Sequence, residues 1–281
     1  MKGKWLAVLV TLPFLLFFFA FQIVPLIWIL FNSFQLEEGG WGLANFSEIL
    51  NSSFYLQAIR YSLEISLWSS LFGLIIALFG SYSLSAVRPS RIGDFILSFN
   101  SMTSNFSGIP LAFAFIILLG ANGAVNLLLR NYQVDTIDIY SKLGIIIIYT
   151  YFQIPLAVLL LYPAFEALKK EWQEAAALLG ANTTAYWCKI AVPVLMPALL
   201  GTLVILFANA IGAYATVYAL TSGNFNVVPI RIGALVSGDI FLNPYLASAL
   251  SLFLIGLMIL VTVIHRKLSQ RYNYRDKEVK S

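Results

Sequence analysis

The chain has 281 residues, of which 60% are hydrophobic and only 11% charged, and its formal net charge is +4. Soluble domains carry roughly 25% charged residues, so this composition excludes a water-soluble globular protein and points to one that spans a membrane. A single cysteine, Cys188, and a single histidine exclude an intrachain disulfide framework and a metal site, and the basic excess lies beside apolar runs, where positive-inside bias accounts for it without a nucleic-acid partner.

Lys2 and Lys4 precede an apolar run from Trp5 to Phe31. A secretory signal has an apolar region of about 7–15 residues and a small-residue cleavage site. This run is longer and no such site closes it, so it reads as a retained anchor. A membrane-crossing helix needs about 20 apolar residues, and runs of that kind fall at 5–32, 62–86, 95–119, 143–165, 194–220 and 245–265. None alternates as barrel strands do, and only helices or closed barrels satisfy the backbone in lipid. The expected fold is therefore all-α: six transmembrane helices in one domain over residues 1–281, with a charged loop, 166–193, between the fourth and fifth.

The third run is the least regular, because Ser98 to Gly108 is rich in Ser, Asn, Thr and Gly. Segments 33–61, 120–142 and 221–244 are polar and too short for a domain, and the tail after His265 is basic, a solvated or lipid-facing end. Six spans put both termini on one side. With the termini inside, thirteen of the seventeen Lys and Arg lie on the inner segments, against Arg60, Arg130, Lys142 and Arg231 outside. That asymmetry orients the chain and makes 166–193 a cytoplasmic loop.

Within that loop, Phe165, Leu168, Trp172, Ala175, Ala176 and Leu179 recur on one face of a helix, with Glu166, Lys169, Lys170 and Gln173 largely elsewhere. Gly180 is expected to stop this helix. Asn182, Thr183 and Thr184 can cap a second, short one. Pro193 and Pro197 flank the start of the fifth span, where proline is tolerated. An amphipathic helix lying on the inner leaflet is the plainer alternative, but the loop has mixed charge and a glycine-centred break.

Glu174-Ala175-Ala176, then Gly180, then Ile190, Val192 and Pro193 match the pattern EAA-x3-G-x9-I-x-L-P with one departure, Val192 for Leu. The loop resembles the signature of permease subunits of bacterial binding-protein-dependent ABC importers. Pro13, Pro25, Ser33-Phe34, the segment Gly42-Leu43-Ala44-Asn45-Phe46, and Phe54, Ala58 and Ser62-Leu63 extend the likeness along the chain. The resemblance implies a type I importer permease fold in the bacterial inner membrane. It also implies a coupling helix gripped by a cytoplasmic ATPase: Glu174 in a charge contact, Ala175 and Ala176 allowing close approach, Gly180 making the turn, and Ile190 and Pro193 completing the motif. The implied partners are a second permease subunit, identical or homologous, two ATP-binding subunits and an extracytoplasmic solute-binding protein. No GxxxxGKS/T segment is present, so ATP and Mg belong to the partner ATPase, and this chain is expected to bind no cofactor and to be no enzyme. Leu179 before Gly180-Ala181 resembles the polyamine, iron, thiamine and phosphonate group, with a polyamine-like solute first.

Polar residues inside spans are candidates for a solute route. These are Asn100, Ser104 and Asn105 with Ser101 and Thr103 in the third, Tyr151 and Gln153 with Tyr149 in the fourth, and Asn209 and Tyr214 with Tyr218 in the fifth. Helix–helix hydrogen bonding and interfacial anchoring compete with that role, and are favoured for isolated Ser, Thr and Tyr. Glu64 and Asp94 either pair with a cation or reach the interface. A stand-alone secondary transporter or channel would need its own coupling-ion site or filter, and no such constellation is evident. A non-transporting scaffold would leave the polar third span unexplained.

Overall fold

The computed structural model describes residues 11–87, 90–237 and 242–270. Lys2, Lys4, Arg88, the expected start of the first span at residue 5 and the basic tail from Arg271 lie outside the described residues. Among the described residues there is no strand, only an isolated bridge between Gln35 and Trp41. Six helical stretches are long and apolar enough to cross a membrane.

Helix α1 (Thr11–Ser33) leads through a tight turn to α2 (Ala44–Asn51) and the long α3 (Ser53–Val87). Two short helices, α4 (Arg91–Thr103) and α5 (Gly108–Leu119), precede α6 (Ala124–Asn131) and α7 (Lys142–Glu166). The loop helix α8 (Lys170–Leu178) is followed by α9 (Thr183–Ile211), α10 (Ala215–Thr221), α11 (Val228–Ser237) and α12 (Pro244–Gln270).

Several boundaries differ from expectation, among them the start of the second long helix, at Ser53 instead of 62. The run 95–119 is not one helix, because residues 104–107 are non-helical. Ser104 Oγ and Asn105 Nδ2 both donate to the Ser101 carbonyl (2.7 and 3.2 Å), so side chains replace the backbone ladder at the end of α4. Gly108 then takes φ +71°. The stretch with the length and hydropathy of a crossing helix is Gly108–Asn131, interrupted between α5 and α6. The run 194–220 stops at Ile211, and α10 resumes after Gly212. The fifth helix also starts early: Asn182 Oδ1 accepts from the Ala185 N–H (2.8 Å), and the helix then runs without a break into the span. Pro193 and Pro197 thus lie inside α9. A proline removes a donor and crowds the carbonyl four residues back; a π turn at Trp187–Ala191, ending two residues before Pro193, absorbs that. The same device, Phe19–Ile23, precedes Pro25 in α1.

The most extensive helix pairing is α3 with α7. In lipid, helices associate through close packing and hydrogen bonds, which small residues permit. Most buried residues of α3 are small, among them Ser62, Ser66, Ser70, Gly73, Ala77 and Ser81. At Gly73 a Cβ would stand 2.8 Å from Gln153 Cβ, so only glycine lets α7 come this near. One core cluster gathers around Ile65, Ile148, Tyr149 and Val217, another around Ala77, Leu161, Phe165 and Leu195, and a third around Ala58, Ile59, Val228 and Leu250.

Asn45 shows what its motif does locally. It is buried, and its Nδ2 donates to the carbonyls of Ser33 (3.0 Å) and Gln35 (2.9 Å), groups left unpaired where α1 ends. Glu64 is paired with both Arg60 (2.7 Å) and Lys142 (2.6 Å), tying α3 to the start of α7, and Asp94 lies in the first turn of α4.

Candidate functional site: the loop helix and the broken spans

Helix α8 is alanine-rich with an acidic first turn at Glu171, both favourable to a short helix. Its end is a complete Schellman motif. The Ala181 N–H donates to the Ala176 carbonyl and the Gly180 N–H to the Ala177 carbonyl, each at 2.9 Å. Gly180 has φ +78°, and a Cβ placed on it would meet nothing within 4 Å. The glycine is required by backbone conformation, not by space.

The face expected to run continuously from Pro163 to Leu179 is divided. Helix α7 ends at Glu166, and residues 167–169 are non-helical. The break lets Leu168 pack against both the α7 core and the α8 cluster. That cluster consists of Ala176, Tyr186 and Ala191 with Ala181, Trp187 and Ile190 against it, so α8 is clamped to the first turns of α9. Trp187 in turn meets Tyr82 of α3 (ring centroids 5.3 Å), and Tyr82 meets Phe165 of α7 (6.1 Å). The outward side of α8 carries Glu174 and Ala175, both exposed, and ends in Leu178 and Leu179, each 89% exposed. Of the apolar face read from the periodicity, Phe165 and Ala176 are buried, whereas Trp172, Ala175 and Leu179 are exposed. Glu174 makes no hydrogen bond or ion pair among the described residues. Pro193 is half-buried in α9.

The polar residues of the spans divide by role. Gln153 is fully buried; its Nε2 donates to Ser70 Oγ (3.2 Å) and the Leu206 carbonyl (2.8 Å), binding α7 to α3 and α9. Asn100 Nδ2 donates to the Pro155 carbonyl (3.0 Å) and holds α4 on α7. Ser104 and Asn105 cap α4, as described. In contrast Tyr151, Asn209 and Tyr214 are exposed in this chain, Tyr214 stacking on Tyr218 (5.1 Å). Asn209 makes no hydrogen bond among the described residues. The candidate pathway residues thus do not form one cluster.

Two contacts between the broken spans had no sequence signal beyond the glycines and polar residues themselves. The Gly108 N–H donates to Thr216 Oγ1 (3.0 Å), which joins the start of α5 to α10. Tyr149, buried, donates its hydroxyl to the Ala213 carbonyl (2.6 Å), in the gap between α9 and α10. Non-helical backbone at membrane depth is tolerated only where protein or a cavity satisfies it, and these side chains do so. Tyr149→Phe leaves the half-buried Ala213 carbonyl without this donor, which costs about 1 kcal/mol; a lower thermal unfolding temperature in detergent, with no change at Tyr151→Phe, is the expected result.

Comparison with known proteins agrees with this architecture. The sulfate transport system permease protein CysT of Escherichia coli (strain K12) is 26% identical over 186 residues, 65% of this chain and 64% of that protein, a little under two thirds of its length. The spermidine/putrescine transport system permease protein PotB of Haemophilus influenzae is 23% identical over 284 residues, 97% of this chain and 96% of that one. A chain in the crystal structure of a bacterial alginate ABC transporter, in complex with an alginate pentasaccharide-bound periplasmic protein, superposes with a TM-score of 0.78 at 18% identity, covering 97% of this chain and 96% of that chain. Residues 69–274 match the family described as the binding-protein-dependent transport system inner membrane component, and the chain belongs to that family of ABC importer permeases.

Proposed function

We propose that this chain forms half of a solute pathway across the bacterial cytoplasmic membrane, driven by separate ATP-binding subunits that grip α8. The observation that carries the reading is the exposed tip of α8, with Leu178, Leu179 and Glu174 outward on a helix clamped from behind by the Ala176–Tyr186–Ala191 cluster. A rigid, locally braced helix with an unsatisfied apolar tip suits a socket on another protein and can transmit its movement as a rigid body. Both termini and α8 face the cytoplasm in this reading, supported by the distribution of Lys and Arg. ATP and Mg reside on two ATPase subunits. An extracytoplasmic binding protein delivers the solute, and a second permease, identical or homologous, completes the pathway.

A polyamine-like solute is the first choice. The full-length alignment with the spermidine/putrescine permease supports it. So does the chemistry of Tyr151, Asn209, Tyr214 and Tyr218, since aromatic faces and amide oxygens attract organic cations. Among the described residues no Lys or Arg sits in the middle of a span, where an anion such as sulfate would need one.

Cross-linking tests the reading. With Cys188, which is exposed, replaced by serine, Leu178→Cys is expected to cross-link to a co-purifying ATP-binding subunit, identified by mass spectrometry. Recovery of this chain alone, repeated under cross-linking, would favour a stand-alone transporter. The asparagines separate pathway from packing: Asn209→Leu is expected to lower transport at unchanged assembly, whereas Asn100→Leu is expected to lower stability by about 1 kcal/mol through loss of the Pro155 contact. Unchanged transport in Asn209→Leu would remove it from the pathway.

A further inference from the structure

The third and fifth spans are both broken, and the two breaks lie together. Residues 104–107 separate α4 from α5, and residues 212–214 separate α9 from α10. The Gly108 N–H donates to Thr216 Oγ1 (3.0 Å), and a Cβ on Gly108 would stand 3.6 Å from Ala215 Cβ, so α5 and α10 meet at their first turns. Hydrogen bonds divide the four half-helices into two kinds. On one side of the breaks, α4 and α9 are each fastened to α7, by Asn100 on the Pro155 carbonyl (3.0 Å) and by Gln153 on the Leu206 carbonyl (2.8 Å). On the other side, α5 packs chiefly on α10, and α10 on α5. Among the described residues no hydrogen bond joins α5 or α10 to α7; Tyr149 reaches only the Ala213 carbonyl, inside the break. What the pair presents to α7 is apolar: Leu111, Ala112, Val217 and Leu220 share its core, and the Phe115 ring stands edge-on to Tyr151 (centroids 5.3 Å). Apolar contacts are non-directional and permit sliding. The far ends are jointed as well. Helix α5 stops before non-helical residues 120–123, and α10 before 222–227, where Ser222 and Gly223 are left-handed. Only beyond that joint is the chain tied to α3, by Asn226 Nδ2 on the Phe54 carbonyl (2.9 Å).

We propose that α5 and α10 shift as one unit against α7 during the ATP-driven cycle, turning on residues 104–107 and 212–214, while α4 and α9 stay with α7. Hinges are a few residues at the ends of elements that absorb changes in φ and ψ. Gly108, at φ +71°, and Gly212 stand at the two breaks and suit that task. Movement of α5 alone would pull the Gly108 N–H from Thr216 and separate the most closely packed faces of both half-helices. Movement of the pair keeps that bond and exchanges only apolar contacts with α7. Thr216, Val217 and Leu220 are buried, whereas Tyr214 and Tyr218 are exposed and stacked, so a shift of the unit displaces this ring pair with it. The proposal rests on the importer reading for the cycle that drives the shift; it does not depend on which solute is carried.

Two cysteine pairs test this in the complex as purified with its partner subunits, with Cys188 replaced by serine. Gly108→Cys with Ala215→Cys joins α5 to α10, at a Cβ separation within the range of about 3.5–4.5 Å that a disulfide spans. Phe115→Cys with Tyr151→Cys joins α5 to α7 through a short bis-methanethiosulfonate. Each pair is cross-linked in resting complex and in complex trapped with ATP and vanadate, and the yield is read from the linked peptides by mass spectrometry. Trapping is expected to leave the disulfide yield unchanged and to lower the yield of the bridge to α7. A disulfide yield that falls on trapping would mean that α5 and α10 part from each other, and would overturn the proposal. A bridge to α7 formed equally in both states would mean that the pair stays fixed, and would overturn it as well. The second pair decides even if a cysteine at the positive φ of Gly108 prevents assembly. Failure of the importer reading shows separately, in the Leu178 cross-link, which these substitutions do not touch.

Discussion

Gly180→Pro is expected to abolish solute uptake while the protein remains in the membrane at its normal level. Proline holds φ near −65° and has no N–H, whereas Gly180 sits at φ +78° and donates to the Ala177 carbonyl. The substitution removes the stop that aims Leu178 and Leu179 outward, and it separates α8 from the cap at Asn182 that starts α9. Because a side chain at 180 would meet nothing within 4 Å, the damage is confined to the turn and the bundle is left intact. The same reasoning ranks milder changes. Alanine costs about 1–2 kcal/mol for a left-handed conformation, so Gly180→Ala should reduce uptake by roughly thirtyfold at most, and asparagine, which tolerates this region better, should reduce it least. Glu174→Lys complements the series. Its side chain is exposed and touches no charged partner among the described residues, so charge reversal should leave folding unchanged and abolish uptake through the partner surface alone. Uptake by whole cells, normalised to membrane level by immunoblot, reads all four variants; persistence of uptake in Gly180→Pro or Glu174→Lys would remove the coupling role from α8.

Gly73→Val is expected to have the largest effect on the bundle itself. The Cβ alone would fall 2.8 Å from Gln153 Cβ, and valine adds two branched methyl groups against the same helix. Helix α7 cannot yield locally, because Gln153 is hydrogen-bonded to Ser70 and to the Leu206 carbonyl. Separating α3 from α7 would break the bond to Ser70 and strand its buried hydroxyl. Overpacking a core costs about 1–3 kcal/mol, and an unsatisfied buried polar group adds about 1–3 kcal/mol more. Loss of the monodisperse peak in size-exclusion chromatography, or a fall in unfolding temperature well beyond that of Tyr149→Phe, is the expected outcome. Gly73→Ala should lose less than valine but still fall short of wild type, because its Cβ alone would stand 2.8 Å from Gln153 Cβ. A Gly73→Val protein as stable as wild type would mean that α3 and α7 are not held this closely.

Much of this protein is legible without coordinates. Hydropathy is a local, additive property, so runs of about 20 apolar residues mark crossing helices whatever they pack against, and Gly180 announces its turn because few other residues adopt that conformation. Asn182, one residue before Thr183-Thr184, marks a helix start for the same local reason. The sequence by itself therefore determined the membrane class, the number of spans and the loop between the fourth and fifth, but not the bounds of the third and fifth spans.

Only the tertiary structure decided what each polar residue does. Asn100 and Asn209 look alike in a list of intramembrane amides, yet one reaches the Pro155 carbonyl, 55 residues away, and the other is exposed. Gln153, expected on a pathway, bridges to Leu206, and Gly108, part of an irregular run, is answered by Thr216, 108 residues on. The apolar face of the loop shows the same limit, since periodicity groups Ala176 and Leu179 together, yet one is buried and the other exposed. A polar side chain in lipid must find a partner, but the partner is chosen by how helices far apart in the chain come to lie together, and that information is held in no single stretch of residues.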